Sequence, residues 1–352
     1  MSIASVPART NLLIRSNDHR LGRRVSCSDE FDLQILVDAR SGCILGCVSP
    51  VTSAQADVLP GQGHTIKQLM KNQMYVLFTD NLADRSLEQV FRDVQQAGFN
   101  GVDLTLRPGG HVLPRDAEIG LSRARQIADR HEMSIPMVST AITDVDSPHA
   151  EDIFASCSHY GVTRLKLGYW PYQPFGKLTQ QLNETRKKIE RLSRLARKYS
   201  VLPCVHVHSG DVLSNGGPIL YLMLKDFRPE EIGAYVDPMH MSVEGGLSGW
   251  EMGLDLLAPW VALVGIKNFR WIETERDGVG QRRWRTQYVP LADGQAPLPE
   301  FCKRLRQIGY SGTMSLHSEY KGSSSFRSLN SPELLAQSKR DLTYLKTLMD
   351  AR

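Results

Sequence analysis

The sequence predicts an α/β protein built as a (β/α)8 TIM barrel, with an irregular extension ahead of it. Three observations predict this. From residue 74 to 350, strand-like apolar runs alternate with amphipathic stretches in strict β-then-α order, which implies a parallel sheet with right-handed crossovers. There are eight such units in about 280 residues, the size of an α/β barrel. No G-x-G-x-x-G follows the first strand-like run, as a doubly wound dinucleotide fold would require, and Gly109-Gly110 is not in a phosphate-loop arrangement.

In order, Met74 to Phe78 is the first strand-like run. Ser86 caps the apolar-periodic stretch Leu87 to Ala97, and Gly98 stops it. Gly101 to Thr105 is the second strand, with a helix over about 118–131. Met133 to Ser139 is the third, with a helix over about 148–160. Val162 to Leu167 is the fourth, followed by a long basic amphipathic helix over about 176–199. Val201 to Val207 is the fifth, with a helix near 216–226. Ile232 to Val236 is the sixth, with a helix over about 249–258. Val261 to Ile266 is the seventh, followed by a longer excursion and a helix over about 297–308. Gly312 to Leu316 is the eighth, closed by a helix over 331–350.

Residues 1–71 do not share this regularity and read as an irregular leader ahead of a 72–352 barrel domain. Within the leader, Arg40, the short apolar stretch Gly42 to Val48 and Ala54-Gln55-Ala56 resemble a secretory signal, although they begin about forty residues in. The protein is therefore expected to be cytoplasmic, or exported to the periplasm if the segment at 40–56 acts as a signal. Hydrophobic content of 41%, charged content of 23% and a net charge of +4 fit a soluble globular protein and do not suggest a nucleic-acid-coating surface. No apolar run approaches the roughly 18 residues needed to span a membrane. The six cysteines show no paired CxxC spacing, and Cys157, Cys204 and Cys302 read as small core residues.

In a parallel barrel the chemistry sits just past the carboxyl ends of the strands. The second strand offers Asp103, Arg107 and His111; the third, Ser139 and Thr140; the fourth, Lys166 and Tyr169. The fifth runs into His206-Val207-His208, whose imidazoles share a side by alternation. The sixth ends Ala234-Tyr235-Val236-Asp237-Pro238-Met239-His240, which places Asp237 at the strand end and His240 on the loop beyond. A helix-capping Asp with a surface His is the plainer alternative. The seventh ends in Lys267-Asn268 and the eighth in His317-Ser318-Glu319. Five of the ten histidines fall in this set. Such gathering, with Asp237, Glu319 and Lys267, points to a site able to hold a divalent cation or move a proton.

These motifs carry a resemblance. His-x-His-Ser-Gly at 206–210, Asp-x-x-His at 237–240 followed by Glu244-Gly245-Gly246, Ile-Lys-Asn at 266–268 and Leu-His-Ser-Glu-Tyr at 316–320 resemble the xylose isomerase-like sugar phosphate isomerase/epimerase superfamily of TIM barrels. The stretch from Asp103 through Arg107 to His111 resembles a subgroup often found with export signals. The resemblance implies one divalent cation (Mn²⁺, Mg²⁺, Co²⁺ or Zn²⁺) held by Glu, Asp, His and Glu after strands five to eight. Here Asp237 keeps its place, while His206, Gly265 and His317 stand at the other three. The expected cation ligands are His206, Asp237 and His317, an open three-ligand set. His208, His240 and Glu319 could be further ligands or hold the ligands in place.

The resemblance also implies proton abstraction beside a carbonyl, usually by two glutamates on opposite faces. Only Glu319 is an obvious carboxylate base here. It is the expected principal proton-transfer group, with His206 or His208 as its partner in an epimerisation. Lys267 would stabilise an enolate or bind an anionic group, or else pair with Asp237 or Glu319. Asp103, Arg107, His111, Lys166, Tyr169 and His240 are the expected substrate-binding residues. The implied partner is a small-molecule carbohydrate, with no nucleic acid and no membrane; a homo-oligomer is left open. A lyase and a non-catalytic carbohydrate-binding relative with a degenerate cation site are the alternatives. An endonuclease acting on abasic DNA resembles a Glu-rich three-metal site on this fold. The Glu set is missing here, and Arg282-Arg283-x-Arg285 is one short solvated cluster.

Overall fold

The barrel strands begin where the apolar runs begin: β1 (Met74–Phe78), β2 (Gly101–Thr105), β3 (Ser134–Ser139), β4 (Arg164–Lys166), β5 (Leu202–His206), β6 (Gly233–Val236), β7 (Val261–Ile266) and β8 (Thr313–Leu316). All pairings are parallel. The barrel closes because β8 pairs with β7 on one side and β1 on the other. This computed structural model describes residues 35–37, 44–47 and 73–351. Strands buried on both faces read as continuous apolar runs, which is why the sequence shows them so clearly. Gly101 is needed for the closeness of β2 to β3, since a Cβ there would lie 2.2 Å from the Ser134 carbonyl oxygen.

The helices are α1 (Leu87–Gln96), α2 (Ala117–Arg130), α3 (Ala150–His159), α4 (Leu178–Tyr199), α5 (Gly216–Leu224), α6 (Pro238–Gly245), α7 (Gly249–Leu257), α8 (Leu298–Gln307) and α9 (Ser331–Asp350). Reciprocal capping boxes start two of them, Ser86 with Gln89 on α1 and Asn330 with Glu333 on α9. Helix α1 ends at Gly98, whose φ of +93° lies in the region open to glycine. The apolar faces of the helices pack on the outside of the barrel. Inside it, Met137, Cys204, Tyr235 and Leu263 form a small separate cluster. Cys157, Cys204 and Cys302 are buried free thiols.

Two elements differ from expectation. Asp237 does not lead into a loop: it is the N-cap of α6, so His240 sits in that helix's first turn. Pro238 at the first helical position and an Asp cap favour the helix, but eight residues are too few to show periodicity. The excursion after β7 is an antiparallel hairpin of Asn268–Arg276 with Arg282–Val289, which carries Tyr288 back toward the barrel mouth.

The chain divides into two units, Met1–Gln55 and Ala56–Arg352. In the first, Ile35–Val37 pairs antiparallel with Ile44–Cys47. Ile44–Cys47 lies within the signal-like segment; the rest of that segment, and the expected boundary at 71/72, lie outside the described residues. No helix among the described residues is long and apolar enough to cross a membrane. Because all eight strand–helix units lie beyond residue 72, a chain trimmed to residues 72–352 is expected to melt in one cooperative transition close to the full-length Tm. A trimmed chain that aggregates or melts without cooperativity would contradict this, as read by calorimetry.

Candidate active site

A cavity of about 360 Å³ opens at the carboxyl ends of the strands. This is the size range of small-ligand sites. Its wall is polar and charged: Arg107, Lys166, Tyr169, His206, His208, Lys267, His317 and Glu319, all expected from strand-end position, line it. The sequence reading missed other wall residues, among them Phe78, Asp80, Tyr235, Tyr288 and Lys321. Phe78 ends β1 and Tyr235 is in alternation with Asp237, so both had a signal. Tyr288 sits on the hairpin and Asp80 in a single 3-10 turn, where the sequence offers none.

At one side of the cavity three buried atoms face one another. Asp237 uses Oδ1 to accept the N–H groups of Met239 (2.9 Å) and His240 (3.3 Å), the ordinary work of a helix cap. Its Oδ2 has no hydrogen-bond partner, and neither has Nε2 of His206 or Nε2 of His240. Oδ2 lies 3.6 Å from the first and 3.9 Å from the second. Each atom carries the desolvation cost of an unmet polar group, about 1–3 kcal/mol. These separations are too long for direct hydrogen bonds but suit three donors around one ion, whose ligands at about 2.1 Å would sit roughly 3–4 Å apart.

The outer nitrogens are held as ligand imidazoles require. Nδ1 of His206 bonds the Tyr169 hydroxyl at 2.8 Å, and its ring stacks on Tyr235. Nδ1 of His240 meets Ser209 through Oγ at 2.8 Å and through the backbone N–H at 3.2 Å. Accepting the Ser209 N–H puts the ring proton on Nε2; the tautomer with its Nε2 lone pair toward Asp237 donates Nδ1–H to Ser209 Oγ instead and gives up that backbone bond. Burial, reinforced by neighbouring cationic groups, holds both imidazoles well below their usual pKa, and burial pushes the Asp237 carboxyl up to about 6. Gly265 completes the cradle. A Cβ there would lie 3.2 Å from Asp237 Oδ2 and 3.4 Å from His206 Nε2. The position implied by resemblance to be a ligand histidine thus faces the same point, and its bare backbone leaves space there. A divalent cation fits His206, Asp237 and His240, and two imidazoles with one carboxylate favour Zn²⁺, Co²⁺ or Mn²⁺ over Mg²⁺.

His317 does not join this group, a correction to the expected ligand set. Its Nε2 bonds the Tyr235 hydroxyl at 2.7 Å and lies 3.8 Å from Asp103, while Nδ1 is 3.8 Å from Glu319. His240, expected at the substrate, takes the third corner instead. Asp103 and His111 are also corrected. Asp103 is fully buried and accepts from Ser139 and Ser315 at 2.9 Å each and from Tyr235 at 3.4 Å; its burial raises it to about 6. Both His111 ring nitrogens are taken, by the Thr105 hydroxyl and the Leu82 carbonyl at 3.1 Å each. Neither residue lines the cavity.

The remaining wall residues stand as follows. Lys267 Nζ bonds Glu319 Oε1 at 2.7 Å and lies 5.4 Å from the Tyr288 ring centroid; Glu319 and Asp237 raise its pKa against the effect of burial. Arg107 pairs with Asp80 at 2.5 Å. His208 bonds the Ser209 carbonyl through Nδ1 at 2.7 Å and packs 3.8 Å from the His240 ring. Lys166 is buried, with Nζ 3.6 Å from the Tyr169 ring centroid.

This architecture, an eight-stranded barrel with polar side chains gathered at the strand carboxyl ends, is that of a small-molecule enzyme scaffold. Residues 91–348 match the xylose isomerase-like TIM barrel family, and the chain belongs to it. No curated protein matches the chain by sequence alone. Among solved structures, it is similar to a D-psicose 3-epimerase determined in the presence of D-fructose (13% identity, TM-score 0.61, covering 79% of this chain and 100% of that one). It is also similar to a 3-keto-D-glucoside 4-epimerase from E. coli (12%, 0.57, 78% and 99%) and a probable 3-DHS dehydratase from Bacillus anthracis (15%, 0.59, 77% and 99%). At these identities the likeness is one of fold.

Two outcomes are expected. Zn²⁺, Co²⁺ or Mn²⁺ at about 100 times its Kd should stabilise the protein by about 2.7 kcal/mol. His240→Ala should abolish that gain in Tm while His317→Ala keeps it; the reverse pattern would restore the set expected from sequence. For the metal-free protein, His206, His240 and His317 have folded pKa values well below the unfolded 6.5. The unfolded chain therefore binds more protons as pH falls past 6.5, and stability is lost. Asp103 and Asp237, raised to about 6, oppose this as pH falls through that value, two carboxyls against three imidazoles. The urea midpoint at pH 6.0 should be lower than at pH 7.5; an equal or higher midpoint would count against neutral buried imidazoles.

Proposed function

We propose that this chain is a sugar isomerase or epimerase that moves a proton at the carbon beside a carbonyl, with a divalent cation held by His206, Asp237 and His240. The observation that carries this reading is the convergence of three unpartnered buried donor atoms beside a polar cavity, with a carboxylate and an ammonium on the cavity wall. Family membership and the sugar epimerases among the similar structures support it. So does the cavity, whose size suits a monosaccharide and whose lining offers hydrogen bonds rather than apolar surface.

A bound cation would supply Lewis acidity toward a substrate oxygen. The chain's own residues do the rest. Glu319 takes the proton from carbon. Lys267, 2.7 Å from Glu319 Oε1, fixes the carboxylate's position and places a positive charge where oxyanion charge develops. Imidazoles committed to a cation cannot also serve as base, which removes His206 and His240 from that role. Tyr169 locks the His206 ring through its hydroxyl. Arg107 and His208 line the remaining wall, where they would meet substrate oxygens, and Lys166 lines it beside them.

The test is incubation of the cation-loaded protein with D-fructose, D-psicose and D-tagatose, with products resolved by chromatography. A new epimer or isomer is expected; a product one water lighter would mark a lyase instead, and no conversion would count against the proposal. Glu319→Gln keeps shape and part of the hydrogen bonding. It should lower turnover by roughly a hundredfold or more with cation content unchanged. Loss of the cation in that variant, or unchanged turnover, would reduce Glu319 to a partner of Lys267.

A further inference from the structure

Four cationic side chains line the cavity, and three are paired: Arg107 with Asp80 at 2.5 Å, Lys267 with Glu319 at 2.7 Å and Lys321 with Asp84 at 3.0 Å. Among the described residues, Lys166 has no carboxylate within salt-bridge distance. Asp103, which shares its side of the barrel interior, has its oxygens occupied by Ser139, Ser315 and Tyr235. The Nζ of Lys166 rests 3.6 Å from the Tyr169 ring centroid, a contact that places the group without giving it an acceptor. Lys166 ends β4, and Glu319 follows β8. In the closed order β8-β1-β2-β3-β4-β5-β6-β7 these strands lie on opposite sides of the barrel.

We propose that Lys166 is the second proton-transfer group of this site, serving the face of the reacting carbon that lies away from Glu319. This rests on reading the chain as an epimerase. Inversion at carbon needs one group to remove the proton from one face and another to supply a proton to the other. The two must therefore stand across the substrate, not beside each other. The Glu319 carboxylate takes the proton; the C–H electron pair becomes the carbon–carbon double bond of an enediolate, and the carbonyl π pair moves to oxygen. The enediolate then collapses. Its carbon takes a proton from the Lys166 ammonium on the opposite face, the carbonyl re-forms, and Lys166 is left as the amine. Exchange of one proton with solvent restores the carboxylate and the ammonium.

The surroundings suit both forms of the lysine. Burial first, then Arg107 beyond β2 and Lys267 beyond β7, push Lys166 down to about 7, against the opposing pull of Asp103 on β2 and Asp80 beyond β1. An acid–base group divided between its two forms near neutral pH works in both directions of a reversible epimerisation. The partner expected from sequence was His206 or His208. His206 is committed to Tyr169 and the cation cradle, and His208 lies two residues past β5 with its ring 3.8 Å from that of the cradle residue His240.

The test uses cation-loaded protein, D-fructose and D-psicose in D₂O, with proton NMR reading epimer formation and deuterium incorporation separately. Lys166→Met and the charge-keeping Lys166→Arg, which cannot release its proton, should each cut epimer formation by roughly a hundredfold or more. Deuterium should still wash into the one epimer whose proton faces Glu319. Glu319→Gln should give the mirror pattern, with exchange confined to the other epimer. Exchange and epimerisation lost together in both lysine variants would overturn the proposal and leave Lys166 a binding residue; so would epimerisation that survives. A wild-type protein inert on both sugars would count against the proposed function, and a second measurement then decides this inference. After reductive methylation with [¹³C]formaldehyde, the Lys166 signal, identified by its absence in Lys166→Arg, should titrate near pH 7. A midpoint near 10 would overturn the assignment.

Discussion

The site depends on three polar atoms buried against one another with nothing to bond to. Nε2 of His206, Oδ2 of Asp237 and Nε2 of His240 are each walled off from water, and each would cost less if turned toward a partner. The protein instead spends other interactions to keep them in place. Tyr169 holds one imidazole, Ser209 the other, and two α6 backbone N–H groups hold the carboxylate. A divalent cation shared among the three would resolve this arrangement. Gly265 fits the same account, because any side chain there would press on two of the three atoms.

The local fold shows how one residue serves two purposes. Asp237 caps α6 with one oxygen and faces the cradle with the other. The cap begins a helix directly at the strand end, and its first turn brings His240 round beside Asp237. Had the chain continued as a loop, nothing in the backbone would fix that distance. Tyr235, two residues earlier on the same side of β6, reaches the opposite part of the interior and ties His317 to Asp103. One strand and its helix thus divide the histidines into a cradle pair and a hydrogen-bonded third.

Much of this was legible in the sequence. Strands buried on both faces announce themselves as apolar runs, and the barrel rule then locates the polar residues past their ends. That is how His206, Asp237, Lys267 and Glu319 could be named together. Residue choice within the set was not legible. His240 and His317 both follow strands, and only the helix α6, weighed in the sequence as the alternative to a loop, and the position of Tyr235 decide which one faces Asp237. Asp103 and His111 looked available because Ser139, Ser315 and the Leu82 carbonyl become neighbours only when the strands pair, and Thr105 only when the loop after β2 turns back on itself. Tyr288 arrives on a hairpin whose sequence carries no sign that it turns back to the cavity. The special position of Lys166 was also hidden, since an unpaired cation is recognised only after every nearby carboxylate has been assigned.

The most direct test of the central claim is a crystal grown with Mn²⁺ or Co²⁺ and measured at wavelengths on either side of the metal's absorption edge. The account predicts one anomalous peak bounded by His206 Nε2, Asp237 Oδ2 and His240 Nε2. A peak bounded instead by His317 and Glu319, or no peak with those three atoms still facing one another, would contradict it.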